Sequence, residues 1–165
     1  MDKKGEVKIY VASPLGFSEV GRDFMYAKII PLIEELGYTV LDPWKLTSPE
    51  IVQSASDLPY GQEKKEKWME VNKILGENNE RAIMEADGLF AILDGVDVDS
   101  GTASEIGCAA AVGKPILGYR GDFRLAADNE GSVVNLQVEH FIKRNGGKII
   151  TQISDLKPEL YALFG

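Results

Sequence analysis

The segment at residues 99–105 (Asp-Ser-Gly-Thr-Ala-Ser-Glu) carries two acidic side chains, Asp99 and Glu105, at a spacing that could do chemistry. It follows the apolar run 88–93, and an alanine-rich helix is predicted to begin near Thr102. Glu105 would then lie in the first helical turn, where the helix dipole favours a negative charge. The pattern predicts a carboxylate that stays ionised at neutral pH, as a nucleophile must, with Asp99 approaching it from the loop.

The same spacing also has a purely structural interpretation. Thr102-x-x-Glu105 has the form of a capping box, in which the threonine hydroxyl and the glutamate carboxylate satisfy backbone amides at a helix start. Glu105 would then have no chemical role. The local sequence leaves both interpretations open, so the surrounding elements have to separate them.

The composition is that of one ordinary globular domain over residues 1–165, with 44% hydrophobic and 27% charged residues. A net charge of −8 without a basic run argues against nucleic-acid polymers and anionic membranes as partners. One cysteine and one histidine give neither an internal disulfide nor a metal-ligand cluster, so we expect no metal and no cofactor. No apolar run approaches about 18 residues, which makes a cytoplasmic protein the default expectation.

Strands and helices are predicted to alternate along the chain. Apolar runs that end at turn residues predict strands at 7–12, 38–41, 87–93, 115–119 and 148–150. Helical spacing of apolar residues predicts helices at 17–36, 61–86, 103–112, 135–145 and 155–164, with a kink or a late start at Pro31 and a break near Gly76. Residues 44–60 lack a pattern and are predicted to form a long lid or binding loop with at most one helical turn, and residues 120–129 a solvated polar loop.

This alternation predicts an α/β fold, a doubly wound five-stranded parallel sheet of flavodoxin-like (Rossmann-like) order in a three-layer sandwich. Ligands of such sheets bind at the carboxyl ends of the strands, where the acidic segment lies. Gly16 and Gly21 are followed by Arg-Asp, so there is no P-loop, and no G-x-G-x-x-G follows the first strand. Carboxylates and amides in place of a phosphate motif suit an oxocarbenium-like transition state.

Several of these segments together resemble the nucleoside 2-deoxyribosyltransferase family. The matching segments are Lys8–Ala12, Asn79 ahead of Ala86-Asp87-Gly88, the Asp-x-Gly-Thr-x-x-Glu-x-Gly-x-Ala run from Asp99, and Val134-Asn135-Leu136. The resemblance spans about residues 7–150 and leaves 44–76 unaligned. It implies a pentosyltransferase of nucleotide salvage that exchanges the bases of 2′-deoxynucleosides, with hydrolysis as a side activity.

The resemblance assigns the catalytic roles to three residues. Glu105 matches the nucleophile that attacks the anomeric carbon and holds the sugar as an ester until a second base, or water, takes it; two displacements retain configuration. Asp99 matches an aspartate beside the sugar and is expected to hold a deoxyribose hydroxyl, with help in proton transfer as a secondary role. Tyr10 matches a tyrosine that orients the nucleophile, although a buried core tyrosine is an equal alternative.

The resemblance and the loop positions also indicate substrate-binding residues: Asn79, Asn135, Phe17, Asp42, Trp44 and Gly101. Some family members carry Asp at the position of Asn79; Asn cannot act as an acid, so it should only hydrogen-bond to the base, and purine or pyrimidine preference stays open. Asn135 matches a residue of the neighbouring subunit's 5′-hydroxyl pocket, which implies a homo-oligomer with shared sites; a plain helix N-cap is the alternative. Phe17 would stack on the base or pack a helix.

Three functions remain open from the sequence. The first is the transferase, with 2′-deoxynucleosides and free nucleobases as its partners. The second is a 2′-deoxynucleoside 5′-monophosphate N-glycosidase that uses water as acceptor, for which the phosphate-binding candidates are Ser13, Gly16, Ser100 and Arg120. The third is a non-catalytic nucleotide-sensing module in which Glu105 is only part of a capping box.

Overall fold

The apolar runs of the sequence form the strands of one parallel sheet in the computed structural model, which describes residues 6–165. The strands are β1 (Lys8–Ala12), β2 (Thr39–Leu41), β3 (Gly88–Ile92), β4 (Ile116–Tyr119) and β5 (Lys148–Ile150). Their order is β2-β1-β3-β4-β5 and each neighbouring pair is parallel, as predicted. The switch point of this order lies between β1 and β3, which directs attention to the loops that follow them.

Seven α-helices lie within residues 6–165. They are α1 (Glu19–Phe24), α2 (Ile30–Glu34), α3 (Pro49–Ser56), α4 (Gln62–Glu85), α5 (Ser100–Ala111), α6 (Leu136–Arg144) and α7 (Leu156–Phe164). A π-helical turn, Met25–Ile29, joins α1 to α2, and 3-10 turns cover Pro14–Phe17 and Ile153–Asp155. No helix in this part of the chain combines the length and the apolar character needed to cross a membrane.

Alternate side chains of the central strands enter two apolar layers on opposite faces of the sheet. Tyr10 packs in the layer that contains Ile106 of α5, whereas its neighbour Ile9 packs in the layer that contains Ile33 of α2 and Leu160 of α7. Both faces of β1 and β3 are therefore buried, as their near-continuous apolar sequence predicts. The sheet is a rigid platform, and the polar loops at the carboxyl ends of its strands are left to form a site.

The predicted irregularity at Pro31 takes the form of the π-helical turn. Proline has no N–H to donate, and its ring collides with the carbonyl four residues earlier, here that of Ala27. The backbone N–H of Ile30 instead bonds to the carbonyl of Met25, five residues back, so the turn is widened just before the proline. The kink has a specific cause and leaves α1 and α2 running in sequence along one face of the sheet.

The predicted long loop at 44–60 contains a two-turn helix, α3. Pro49 occupies its first turn, where the missing N–H costs nothing, and Ala55 is fully buried. α3 packs against α4, which supplies the apolar surface that α3 alone could not bury. Eight residues are too few to display a helical period, which is why the sequence predicts at most one helical turn where the structure has two.

The predicted break at Gly76 is also wrong, because α4 runs without interruption from Gln62 to Glu85. Gly76 is exposed in the middle of this helix, and a methyl group added there would meet nothing within 4 Å. A glycine in a helix costs about 1 kcal/mol relative to alanine. Helix-forming neighbours and the buried side chains of Val71, Ala82 and Ile83 outweigh that cost.

We therefore expect Gly76→Ala to raise the free energy of unfolding by about 0.5 to 1 kcal/mol. Gly37 is the matched control, since an added methyl there also meets nothing within 4 Å but its φ is +79°. Gly37→Ala should lower the free energy of unfolding by about 1 kcal/mol, because alanine is strained at positive φ. Urea denaturation of both variants measures the difference, and a destabilised Gly76→Ala would contradict the account of α4.

Candidate active site

The loops at the carboxyl ends of β1, β2 and β3, together with α4 and the start of α5, enclose a cavity of about 310 Å³. Six of the predicted catalytic and substrate-binding residues line it: Phe17, Trp44, Asn79, Asp99, Gly101 and Glu105. Of the three other predicted residues, Tyr10 contacts Glu105, Asp42 lies behind the cavity wall, and Asn135 lies outside the cavity. The site is therefore assembled from residues that are up to 95 positions apart in sequence, Tyr10 to Glu105.

Tyr10 and Glu105 form a short hydrogen bond at the floor of this cavity. The phenol hydroxyl of Tyr10, on the fully buried part of β1, donates to Oε1 of Glu105 at 2.6 Å. Among the hydrogen bonds of residues 6–165, none reaches the second oxygen, Oε2. Tyr10 is at once a core aromatic and the partner of Glu105, so one carboxylate oxygen is fixed while the other remains available.

Asp99, not Thr102, is the N-cap of α5. Its Oδ2 accepts the backbone N–H of Thr102 at 2.9 Å, and the helix begins at Ser100. Aspartate is a stronger N-cap than threonine, so the helix begins earlier than the alanine run suggests. Glu105 consequently lies in the second turn and its carboxylate bonds to Tyr10. Both the first-turn position and the capping-box interpretation are therefore wrong.

The acidity of Glu105 differs from the expectation of a fully ionised carboxylate. Burial raises its pKa from the ordinary 4.5 to about 7; the Tyr10 hydrogen bond lowers the pKa and the charge of Asp99 raises it. In the second turn the helix dipole is too weak to offset this desolvation. Burial, together with the Glu105 charge, also raises the pKa of Tyr10 far above its ordinary value, so Tyr10 remains a hydrogen-bond donor.

One wall of the cavity is an aromatic pair. The rings of Phe17 and Trp44 meet edge to face with their centroids 4.7 Å apart, and the Trp44 indole N–H donates to the carbonyl of Ser13 at 3.4 Å. Gly16 is required for this arrangement, since a Cβ there would lie 2.1 Å from the Trp44 ring. Phe17 is 75% exposed, so it does not serve as a core residue and its ring is free to contact a ligand.

Asp42 stands behind this wall and does not line the cavity. It is 6% exposed and accepts hydrogen bonds from the Tyr26 hydroxyl at 2.8 Å and from the backbone N–H of Trp44 at 3.0 Å. Burial and the bond to Asp42 raise the pKa of Tyr26 to about 12. Asp42 therefore fixes the backbone that carries Trp44, and the predicted direct contact with a base is not what this geometry provides.

Asn79 presents a buried acceptor without a partner. Its Oδ1 is inaccessible to solvent and receives no hydrogen bond within residues 6–165, and the residue lines the cavity from α4. An unsatisfied buried carbonyl costs free energy, which a donor on a ligand would recover. Leu75, which sequence reasoning missed, lines the cavity one helical turn earlier, and the four-residue spacing to Asn79 is the signal that could have found it.

Asn135 lies outside the cavity, at the start of α6. Its Oδ1 caps that helix by accepting the backbone N–H groups of Gln137 and Val138, and its Nδ2 donates to Asp128 at 3.4 Å. The helix-cap alternative for this residue is thus present in the structure. The bond from Nδ2 to Asp128 lies at the surface.

Arg120 corrects the prediction of a solvated charged loop. Only 2% of it is exposed, and its guanidinium donates to the carbonyls of Leu93, Gly95 and Arg124. A buried guanidinium needs acceptors on most of its donors, and the carbonyls at the end of β3 supply them. Arg120 ties the loop after β4 to the loop after β3, and it does not line the cavity.

Comparisons with known proteins agree with this architecture. Residues 9–137 match the family model for nucleoside 2-deoxyribosyltransferase. A conserved protein from Enterococcus faecalis V583 superposes with a TM-score of 0.72 and 24% identity, over 95% of this chain and 98% of its own. A 2-deoxyribosyltransferase from Bacillus psychrosaccharolyticus gives 0.59 and 26%, over 92% and 90%. A CMP N-glycosidase from Clostridium botulinum gives 0.54 and 19%, over 94% and 98%. No curated protein sequence matches the chain.

The fold is a doubly wound α/β sheet, and a buried carboxyl group lies at its switch point, which is where such sheets bind their ligands. Since the family model covers most of the chain, the protein belongs to the nucleoside 2-deoxyribosyltransferase family, which acts on nucleosides and nucleobases. The protein accordingly belongs to a family of enzymes.

Proposed function

We propose that the protein is a pentosyltransferase that exchanges the nucleobase of 2′-deoxynucleosides through a deoxyribosyl ester on Glu105. The observation that carries this proposal is the Tyr10–Glu105 pair: one carboxylate oxygen is held at 2.6 Å from the Tyr10 hydroxyl, and the residue lines a cavity of about 310 Å³. A held oxygen orients the carboxylate, and the other oxygen is the nucleophile.

The reaction consists of two displacements at the anomeric carbon. In the first, Oε2 of Glu105 bonds to C1′ while the bond from C1′ to the base nitrogen breaks, and its electron pair leaves with the base, which takes a proton. In the second, a nitrogen of the incoming base bonds to C1′, the ester bond breaks with its electrons returning to Glu105, and the incoming base loses its proton. Two inversions give net retention of the β configuration.

Asp99 is proposed to hold the sugar. Its Oδ2 is used as the cap of α5, whereas Oδ1 accepts no hydrogen bond within residues 6–165, and the residue lines the cavity together with Glu105. Oδ1 would accept a deoxyribose hydroxyl, and the negative charge would stabilise the oxocarbenium-like transition state. Gly101 allows this placement, since a Cβ there would lie 3.1 Å from Asp99 Oδ2.

The opposite wall is proposed to bind the base. Phe17 and Trp44 supply aromatic surface for stacking, and the Asn79 side chain, which lines the cavity and whose Oδ1 is unsatisfied, would turn its amide to accept an N–H of the base. Asparagine cannot deliver a proton, so the leaving base is protonated by water. The Asn79 amide both donates and accepts hydrogen bonds, which is compatible with purines and with pyrimidines.

Incubation with deoxyinosine, with and without adenine, tests the proposal. Deoxyadenosine formed only when adenine is present, and formed as the β anomer by NMR, supports it. Formation of the α anomer would refute the double displacement. Mass spectrometry of protein quenched with excess deoxyinosine should show a deoxyribosyl group on Glu105, and an active protein that never carries it would exclude the ester.

The other two functions are outcomes of the same experiment. Hydrolysis of a 2′-deoxynucleoside 5′-monophosphate without base exchange would indicate an N-glycosidase, and inertness toward every substrate would indicate a sensing module. The described cavity lining contains no lysine or arginine, and Arg120 spends its donors on backbone carbonyls. The described lining thus offers no cation for a phosphate group, which favours nucleosides over nucleotides.

The role of Tyr10 gives a prediction. We expect Tyr10→Phe to lower kcat by roughly tenfold to a hundredfold, because the carboxylate loses the bond that orients it. That bond lowers the pKa of Glu105, so its loss should also move the acidic limb of the rate profile to higher pH. Tyr60→Phe, at a fully exposed tyrosine, is the control. A lowered kcat with an unmoved acidic limb would show that Tyr10 has only a packing role.

We also propose that the protein is a homo-oligomer in which Asn135 reaches the site of a neighbouring subunit. Its exposed Nδ2 is the group that would do so. Mixing an inactive Glu105→Gln chain with an inactive Asn135→Ala chain should restore part of the activity, since hybrid assemblies contain one intact site. Full activity of Asn135→Ala by itself would refute shared sites.

A further inference from the structure

A second cavity, larger and more apolar, adjoins the one that contains Glu105. It measures about 580 Å³ against about 310 Å³, and the two share four wall residues: Phe17, Pro43, Trp44 and Leu75. The aromatic pair of Phe17 and Trp44 is therefore a common wall with a space on each side. Nothing in the assigned chemistry uses the outer space.

Part of the outer cavity is built by α3 and the first half of α4, which lie in the segment 44–76 that the family resemblance leaves unaligned. α3 contributes Pro49 and Val52, and α4 contributes Trp68 and Leu75, which lie seven residues apart and so on the same face of the helix. The hydroxyl oxygen of Thr47, also in the lining, already accepts a hydrogen bond from Asn78 at 2.8 Å. The surface offered to a ligand is mostly aliphatic and aromatic, with the amide of Gln53 at its edge.

The position of this cavity relative to the carboxylates determines which part of a substrate reaches it. This step rests on the proposed function. The sugar has to lie at Glu105 and Asp99, and the base then extends toward Phe17, Trp44 and Leu75, which are the shared wall residues. The outer cavity begins where the far edge of the base ends, so a group attached to that edge would enter it.

We propose that the outer cavity is a subsite for an apolar or aromatic substituent on the nucleobase, such as an alkyl or aryl group on an exocyclic nitrogen. Continuity of the walls favours a substituent over an independent ligand, because anything bound in the outer space touches the residues that contact the base. A cavity of this size with few polar groups is typical of ligand pockets that select for apolar area. The protein consequently accepts bulky modified bases at least as well as plain ones.

The test compares adenine with N6-benzyladenine as acceptors and deoxyinosine as donor. In the wild-type protein we expect kcat/KM for benzyladenine to equal or exceed that for adenine. Val52→Trp, which fills the outer cavity, should lower kcat/KM for benzyladenine by about tenfold or more and leave adenine within about twofold. Val20→Trp is the matched control at an 81% exposed position that lines neither cavity, and it should change neither acceptor.

Gln53→Trp provides a second variant at an exposed edge position, where a failure to fold is not expected. Adenine exchange by a filled variant shows that the variant is folded. The subsite would be overturned if the wild type exchanged adenine but rejected benzyladenine. It would also be overturned if the filled variants lost activity equally toward both acceptors. A change of oligomeric state of the filled variants in sedimentation would make this face an interface between copies and would also overturn it. Failure to exchange adenine at all would instead overturn the proposed function, and the subsite with it.

Discussion

Glu105→Gln is expected to abolish base exchange, with a loss of kcat of about 10³-fold or more. The amide is a poor nucleophile, yet it has almost the shape of the carboxylate, and its carbonyl oxygen can still accept the hydrogen bond from Tyr10. The loss therefore isolates nucleophilicity from packing. Initial rates of deoxyadenosine formation from deoxyinosine and adenine measure it, and no deoxyribosyl adduct should form.

The matched control is Glu130→Gln, which makes the same change at an exposed position outside the cavity. It should leave kcat and KM unchanged. Because the cavity stays intact, Glu105→Gln should still bind deoxynucleosides, which calorimetry can detect. Exchange retained by Glu105→Gln at more than a few per cent of the wild-type rate would remove the covalent mechanism.

The second large effect is on the pH dependence of the rate. Burial raises the pKa of Glu105 to about 7, and only the ionised carboxylate attacks C1′. We expect kcat/KM to fall tenfold per pH unit below that value, so that about a hundredfold is lost at about pH 5. The profile should level off above about pH 8. A rate that is flat between pH 5 and pH 8 would mean that Glu105 is ionised throughout, and that the buried carboxyl group is not the titrating nucleophile.

The same pKa predicts the opposite trend for stability. The folded-state value, about 7, lies above the ordinary 4.5, so the folded chain binds more protons than the unfolded chain between these values. The resulting stabilisation is fully present below about pH 4.5 and is lost as the pH rises through about 7. Relative to Glu105→Gln, the wild type should lose on the order of 3 kcal/mol of unfolding free energy over this window. An unchanged difference between the two proteins would contradict the buried position of the carboxyl group.

The architecture was predictable because it depends on patterns that recur over many residues. The apolar run 88–93 has no polar position, so it can only be a strand buried on both faces, and the helices between the strands require parallel pairing. Right-handed crossovers limit the strand orders that such a sheet can adopt, and the observed order is one of the common doubly wound ones. A wrong fold class would have required several of these sequence patterns to be misleading at once.

The site was predictable in its membership but not in its electrostatics. Spacing indicated Asp99 and Glu105 but could not reveal which residue caps α5, because the choice between aspartate and threonine is made by three-dimensional geometry. The pKa of Glu105 depends on how deeply the sheet and α5 bury it, which no local pattern encodes. The sequence indicated Asp42 as a site residue. That it holds the Trp44 backbone, with Tyr26 on its other oxygen, is visible only in the structure.

The outer wall of the site was the least predictable part. α3 is short, and its fold depends on an apolar surface that α4 provides from elsewhere in the chain. The burial of Arg120 was equally hard to predict, since its partners are backbone carbonyls, which every residue has. Both features depend on contacts between segments that are far apart in the sequence.

Arg120 finally has a consequence for how substrates enter and leave. Its guanidinium joins the segments that follow β3 and β4 by hydrogen bonds, so these two segments are held together. The rim formed by Phe17 and Trp44 is held by their aromatic contact, by the hydrogen bond from the Trp44 indole to Ser13 and by the bond from the Trp44 backbone to Asp42. Phe17 is the more exposed of the two side chains, at 75% against 40% for Trp44, so we expect nucleoside and base to enter and leave past the Phe17 ring.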